Sequence, residues 1–359
     1  MSERPVMIVA GGTGGHVFPA LAVAQHLAAR GVPVVWLGTP GGLEARVVPE
    51  AGIRFLAVSV KGLRGNGLHG WLAAPWMVAR AFFECRGIIR RQQPRVMLGM
   101  GGYVTGPAGL AARVQGCPLV IHEQNAIPGL TNRLLARRAT RTLTGLDARL
   151  PGRTAATFVG NPVRSDIRRL PGPRERYTGR SGPLRLLVVG GSLGALQLNR
   201  TVPQALARLP LGQRPEVVHQ AGSRTLEVAR EAYAEVGIKA TVQPFVDDMA
   251  KAYAESDLVI CRAGALTVSE LAVAGVPAIL VPYPHAVDDH QRANARFLTA
   301  VGGARMLAVE AFDATTLAAE LEALSGDRET LIAMAEAARA RSRPEATEQV
   351  ADACLEVAA

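Results

Sequence analysis

Short apolar runs alternate along the chain with stretches whose apolar residues fall three or four positions apart. In the first half the runs are VMIVA (6–10), VVWLG (34–38), VMLGM (96–100), PLVIH (118–122) and TRTLT (140–144). Runs this short and continuous fit strands buried on both faces, and the stretch from Val17 to Ala29, closed by Gly31, has helical spacing. The pattern restarts with LRLLVVG (184–190), EVVHQ (216–220), ATVQPF (240–245), DLVICR (257–262) and AILVP (278–282). Such alternation predicts an α/β chain of doubly wound parallel sheets covered by helices on both faces. VMIVAGGTGGHVFPALAVAQHL near the start is echoed by RLLVVGGSLGALQLNRTVPQAL about 180 residues later. Each reads as strand, glycine turn, helix. The repeat predicts two Rossmann-like domains, 1–162 and 163–343, facing across a cleft, with GNPVR (160–164) as the hinge. LPGPRERYTGRSGP (170–183) reads as a loop, and a last helix after Pro344 (344–359) is expected to return to the first domain.

A length of 359 residues is long for one core and agrees with two domains. Charge divides them. Residues 1–162 carry 18 Lys+Arg against 6 Asp+Glu, and the remainder carries 22 against 24, so the net charge of +10 belongs to the first half. An anionic partner is expected there: nucleic acid, an acidic membrane face, or a phosphate-bearing substrate. Cys85, Cys117, Cys261 and Cys354 stand singly, without metal or dithiol spacing, which suits a reducing compartment. No signal pattern opens the chain, and no apolar run reaches the roughly 18 residues needed to span a bilayer. The expected location is cytoplasmic, at most peripheral to a membrane.

Chemistry concentrates at the glycine turns. Gly11, Gly12, Gly14 and Gly15 follow a strand and precede a helix whose free N–H groups and positive dipole end favour an anion. The spacing is neither that of a dinucleotide fingerprint nor of a Walker A loop. His16 falls in the first helical turn, where the dipole favours the neutral imidazole that accepts a proton. MGGYVTGPAGL (100–110), with Pro107 suited to a first helical position, and GGSLGA (190–195) offer two further cradles. CRAGALTVSE (261–270) is a fourth strand-to-helix turn. There Thr267 and Glu270 fit a capping box, or the Glu270 carboxylate accepts from two vicinal ribose hydroxyls; the residues alone leave both open. In VPYPHAVDDHQRANA (281–295), Asp288 or Asp289 is placed to cap a helix, and Gln291 to bind sugar hydroxyls through both amide functions or to be solvated. IHEQNAIPGLTN (121–132) lacks the second histidine of a zinc helix, and no DxD pair occurs, so no metal is expected. LRGNGLHGWLAAPWMVARAFFECRGIIRRQQP (63–94) gathers Trp71, Trp76, Phe82 and Phe83 with Arg64, Arg80, Arg86, Arg90 and Arg91. That mixture fits an interfacial membrane segment or an ordinary helix with a solvated face, and gives little support to nucleic acid.

GGTGGHVFPALA, MGGYVTGP, HEQNAIPGLTN, VGNPVR, VVGGSLGA, FVDDM, CRAGALTVSE and HAVDDHQRANA resemble, in order and spacing, the MurG family of glycosyltransferases. The resemblance spans residue 7 to about 348. It implies the GT-B fold and inverting, metal-independent transfer of GlcNAc from UDP-GlcNAc to the 4-hydroxyl of MurNAc in lipid I, the undecaprenyl-linked acceptor, giving lipid II for peptidoglycan. It implies no cofactor, no nucleic acid, and a peripheral position on the cytoplasmic face of the plasma membrane through residues 63–94. Carried onto this sequence, it implies a donor site at Thr13, Gly14, Gly15, Asn125, Arg164, Ser192, Val246, Ala265, Leu266, Thr267, Val268, Ser269, Glu270 and Gln291. It implies an acceptor site at Gly12, Gly14, Gly15, His16, Gly101, Gly102, Tyr103 and Glu123, with His16 as the catalytic base. Leu193 departs from the family pattern, which has Gln there. The same fold admits a glycolipid synthase or a UDP-GlcNAc epimerase, and a sensor that binds without turnover is the alternative from another class.

Overall fold

The computed structural model describes residues 4–60, 67–151, 155–191, 194–283 and 289–358, with backbone alone for 67–74. The chain forms two compact units, one of Met1–Arg164 with Arg343–Ala359 and one of Ser165–Ser342. The first unit runs β1 (Val6–Val9), α1 (Gly14–Ala29), β2 (Val34–Gly38), α2 (Glu44–Glu50), β3 (Arg54–Ala57) and α3 (Gly67–Gln92). It continues with β4 (Val96–Gly99), α4 (Thr105–Val114), β5 (Leu119–Glu123), α5 (Leu130–Ala136), β6 (Arg141–Thr144) and β7 (Thr157–Phe158). The second unit opens with α6 (Ser165–Arg168), α7 (Pro173–Tyr177), β8 (Arg185–Val189), α8 (Leu196–Arg208), β9 (Glu216–Gln220) and α9 (Leu226–Glu235). Then come β10 (Thr241–Gln243), α10 (Met249–Glu255), β11 (Leu258–Cys261), α11 (Ala265–Ala274), β12 (Ala278–Leu280), α12 (His290–Thr299), β13 (Ala304–Met306), α13 (Ala314–Ser325) and α14 (Arg328–Ala340). The last helix, α15 (Ala346–Ala358), belongs to the first unit.

Both sheets are parallel. Their orders, β3-β2-β1-β4-β5-β6-β7 and β10-β9-β8-β11-β12-β13, repeat one doubly wound topology, with the switch point between β1 and β4 and again between β8 and β11. Alternate residues of a strand face opposite layers. In β1, Val6 and Ile8 join Val17, Val23 and Trp36 in one core, while Met7 and Val9 join Met97, Ile121 and Ile89 in the other. α15 completes the first of these layers with Val350, Ala351, Ala353 and Cys354. Arg30–Asp352 and Arg141–Glu356 ion pairs fasten its polar face. In the second unit Leu186, Val188, Leu198, Val202, Leu258, Ile260 and Leu317 lie in one cluster.

Several expectations are corrected. Residues 170–183 are not all loop, because Pro173 opens the short helix α7, whose Tyr177 is buried and donates to Asp257 O at 2.9 Å. α1 begins at Gly14, three residues before the apolar periodicity, and α4 at Thr105, two before Pro107. Three strands escaped the reading, β3, β7 and β13; they are short and lie at sheet edges, where half-exposed positions break the apolar run. All four cysteines are buried, and burial pushes their thiols up, to about 11 for Cys117 and about 12 for the others.

Candidate active site

In the first unit the turns after β1 and β4 flank the switch point, and they pack backbone on backbone. Gly11 N donates to Gly101 O at 3.3 Å. Gly101 and Gly102 have φ of 101° and 91°, and a Cβ on Gly102 would lie 2.4 Å from Gly11 O. Only glycine meets both demands. The His16 ring rests on Gly101, whose Cβ would lie 2.6 Å from His16 Cδ2. His16 is half-buried in the first turn of α1, where Thr13 is the N-cap in extended conformation. The structure therefore brings together Gly12, Thr13, Gly14, Gly15, His16, Gly101 and Gly102, with Tyr103 exposed beside them.

A residue that sequence reasoning missed underlies this turn. Glu44, at the start of α2, is fully buried and accepts from Gly12 N (3.2 Å), Thr39 N (3.0 Å) and Thr39 Oγ1 (2.7 Å). Gly11, Gly38 and Gly42 crowd the same side chain, which a Cβ on any of them would approach within 2.7 Å. Its only signal in the sequence is the Gly41–Gly42 pair ahead of it. Thr105 Oγ1 adds a bond to Gly101 O at 2.7 Å.

Glu123 ends β5 and is 2% exposed. Its oxygens accept from Asn125 N and Nδ2, Gly129 N and Asn132 Nδ2, while burial raises its pKa. The carboxylate is thus spent on shaping the 124–129 loop that carries Asn125. Beside it His122 Nε2 bonds Gly160 O at 2.9 Å and Nδ1 meets Gln124 Nε2 at 3.3 Å. Burial holds that ring neutral, its pKa lowered to about 4. Arg164 is half-buried at the end of this unit.

In the second unit Gly264 is the N-cap of α11 and Ala265, Leu266, Thr267, Val268, Ser269 and Glu270 follow it. The capping-box reading fails: no side chain caps this helix, and Glu270, at its sixth residue, stands too far along it. Glu270 is nearly buried and accepts from Tyr253 Oη at 3.2 Å. Val246, after β10, is also buried. Gln291 Oε1 accepts from Tyr283 N at 2.9 Å, which leaves it one further lone pair and both donors of its amide nitrogen. Arg262 holds this corner by donating to Val281 O, Pro282 O and Gln197 Oε1 and stacking 5.6 Å from the Tyr283 ring centre. Asp289 stands at the N-cap of α12 with φ 54° but makes no capping bond, and pairs instead with Arg292. Ser192, Leu193 and Asp288 lie outside the described residues. The described residues place no three His, Cys, Asp or Glu together as a metal site.

Two doubly wound sheets, each with glycine turns and helix starts at its switch point, make an architecture whose crevice beyond the carboxyl ends of the strands suits a phosphorylated ligand. The glycosyltransferase family 28 N-terminal domain matches residues 6–144 and the C-terminal domain of the same family matches residues 185–350. The chain belongs to glycosyltransferase family 28, and its architecture is GT-B. A relative from Alkalilimnicola ehrlichii is 60% identical over 354 residues, covering 99% of both chains; it is named UDP-N-acetylglucosamine--N-acetylmuramyl-(pentapeptide) pyrophosphoryl-undecaprenol N-acetylglucosamine transferase. One from Halorhodospira halophila with the same name is 56% identical over 359 residues, covering 100% of this chain and 99% of its own. The crystal structure of Acinetobacter baumannii MurG matches with a TM-score of 0.86 at 40% identity, covering 99% of this chain and 100% of that one.

Proposed function

We propose that this enzyme transfers N-acetylglucosamine from UDP-N-acetylglucosamine to the 4-hydroxyl of the N-acetylmuramyl group of a pentapeptide-bearing, diphosphate-linked undecaprenol. The observation that carries the reading is the 60% identity, sustained over 354 residues, to a relative named for that transfer. The first unit takes the acceptor's diphosphate at the Gly12–Gly15 and Gly101–Gly102 turns, and the second takes the donor. There Glu270 receives the ribose hydroxyls, the start of α11 the diphosphate, the Val246 backbone the uracil, and the Gln291 amide nitrogen a sugar hydroxyl. Ser192 completes the donor contacts, while Glu123 acts through the loop it shapes.

The step is one displacement with inversion. His16 removes the proton of the acceptor 4-hydroxyl, the oxygen attacks C1 of the sugar, and the C1–O bond to UDP breaks. Negative charge on the departing diphosphate is met by the dipole of α11, so transfer runs without a metal. His16→Ala is expected to cut turnover by about 10²- to 10⁴-fold with UDP-N-acetylglucosamine binding retained. Full turnover in that variant removes His16 from the role.

No helix among the described residues is long and apolar enough to cross a membrane. Attachment is peripheral, on the cytoplasmic face of the plasma membrane. α3 exposes Trp76 (77%) and Phe83 (64%), and α4 and α5 add Leu110, Val114, Leu130 and Leu134, which the 63–94 reading did not include. Arg80, Arg86, Arg90 and Arg91 lie on α3 to meet anionic lipid, while residues 63–66 lie outside the described chain. Transfer of labelled N-acetylglucosamine to the acceptor, with EDTA present and UDP-glucose as control, tests the whole reading. Product that resists EDTA and requires the N-acetylated donor supports it; donor binding without product overturns the acceptor assignment.

A further inference from the structure

Two cavities of the first unit share walls. The first, of about 660 Å³, is lined by Gly11 and Gly12 of the β1 turn, Thr39 to Gly42 of the next turn, and Arg80. The second, of about 400 Å³, lies between α3, α4 and α5 and is lined by Phe82, Leu110, Leu134 and Pro107, with Arg138. Val60, Met77 and Tyr103 line both. A chamber that offers backbone turns and a guanidinium thus adjoins an almost wholly apolar slot. The slot falls in the size range that encloses a small apolar ligand and is too small for a helix. Met77 and Phe82 give it adaptable and aromatic walls.

We propose that the slot seats the first isoprenoid units of the acceptor, so that the enzyme holds the carrier by its chain as well as by its diphosphate. The inference rests on the acceptor reading given above. Its occupant follows from connectivity. A diphosphate held at the Gly11–Gly12 turn has one substituent that is a sugar and one that is a hydrocarbon, and the neighbouring chamber that shares walls with the turn's cavity is hydrocarbon in character. The slot shares Leu110, Leu130 and Leu134 with the outward patch on which the protein meets a bilayer, whereas Phe83 belongs to that patch and lines neither cavity.

The test uses two soluble acceptors in buffer without detergent or vesicles, a muramyl-pentapeptide diphosphate esterified to a ten-carbon prenyl chain and the same compound esterified to methyl. The full-length enzyme is expected to show kcat/KM at least about tenfold higher for the prenyl ester, because burial of each apolar carbon adds to binding. Leu134→Asp, which makes the slot polar, and Leu134→Trp, which fills it, are both expected to bring the two esters to within about twofold while the thermal midpoint is kept. Phe83→Ser is expected to weaken binding to anionic vesicles while the ratio between the esters in solution persists. Equal kcat/KM for the two esters in the unaltered enzyme overturns the slot and leaves the acceptor reading standing. A preference that survives both Leu134 variants also overturns it. Turnover of neither ester sinks the acceptor reading and this proposal with it.

Discussion

Behind the glycine turn after β1 stands a carboxylate, and behind the turn after β9 stands an amide. Glu44 gathers Gly12 N, Thr39 N and Thr39 Oγ1. Asn199, buried in α8, donates from Nδ2 to Ala221 O, Thr225 O and Thr225 Oγ1, and its Oδ1 meets His219 Nε2 at 3.0 Å. The strand order that places both turns is the same. Topology fixes where a turn lies, but the side chain beneath it fixes which of its N–H groups remain for a ligand and what charge the ligand meets. In the first unit Gly12 N–H is already spent on the Glu44 carboxyl. In the second unit the anchor is neutral and holds carbonyl and hydroxyl oxygens of its turn rather than an N–H.

The largest difference is expected at the second turn of each pair. Gly102→Ala places a Cβ 2.4 Å from a backbone oxygen at a φ of 91°, which no side-chain adjustment relieves. It should cost the first unit about 3 kcal/mol or more. The counterpart before α11, Gly264, has φ −65° and only Thr267 Oγ1 nearby, at 3.6 Å. Gly264→Ala should shift stability by less than about 1 kcal/mol. Hydrogen exchange read separately over the two units checks both; similar losses would mean that the packing of the paired glycine turns carries no special strain.

The anchors come next. Glu44→Ala leaves three donors around a fully buried site and is expected to cost about 3 kcal/mol, with Glu44→Gln recovering about half by accepting through one oxygen. Asn199→Ala should cost about 2 kcal/mol, since its partners are carbonyl and hydroxyl groups rather than a charge. Denaturant midpoints at constant slope give the comparison. If Glu44→Gln is as damaging as Glu44→Ala, shape rather than accepting capacity holds the turn.

Much of this arrangement was legible. The ten apolar runs are strands; those inside the sheets, covered on both faces, cannot tolerate polar breaks, and glycines after β1, β4 and β8 mark the switch points. Edge strands such as Arg54–Ala57 carry no such signature. Nor does Glu44: a lone glutamate opening a helix looks solvated until Thr39 and Gly12 are brought to it from separate segments. Glu270 shows the reverse. Its spacing from Thr267 suggested a cap, but a helix that starts at Ala265 leaves the pair within the helix, and what sequence spacing could not show was where the helix began. The apolar slot was equally hidden, since it is built from three helices and only one of them looked amphipathic and aromatic in the sequence.

The smallest expected effect separates the two units by pH. His219 lies between Tyr233 Oη and Asn199 Oδ1, and burial lowers its pKa from 6.5 to about 4. Unfolded, the ring takes a proton near 6.5; folded, it does not until about 4. The stability this neutral ring allows is therefore complete above pH 6.5 and is lost as pH falls toward 4, amounting to about 2 kcal/mol by pH 5. His122 in the first unit behaves alike, but its neighbour Glu123 has the opposite sign: its pKa is raised by burial, so the folded form takes up its proton first and gains as pH falls. The second unit should consequently weaken more steeply than the first between pH 6.5 and pH 5. His219→Gln, which keeps a donor and an acceptor in place, should flatten that slope in the second unit and leave the first unchanged. Unit-resolved hydrogen exchange across this range gives the two slopes, and equal slopes would show that Glu123 does not offset its neighbour.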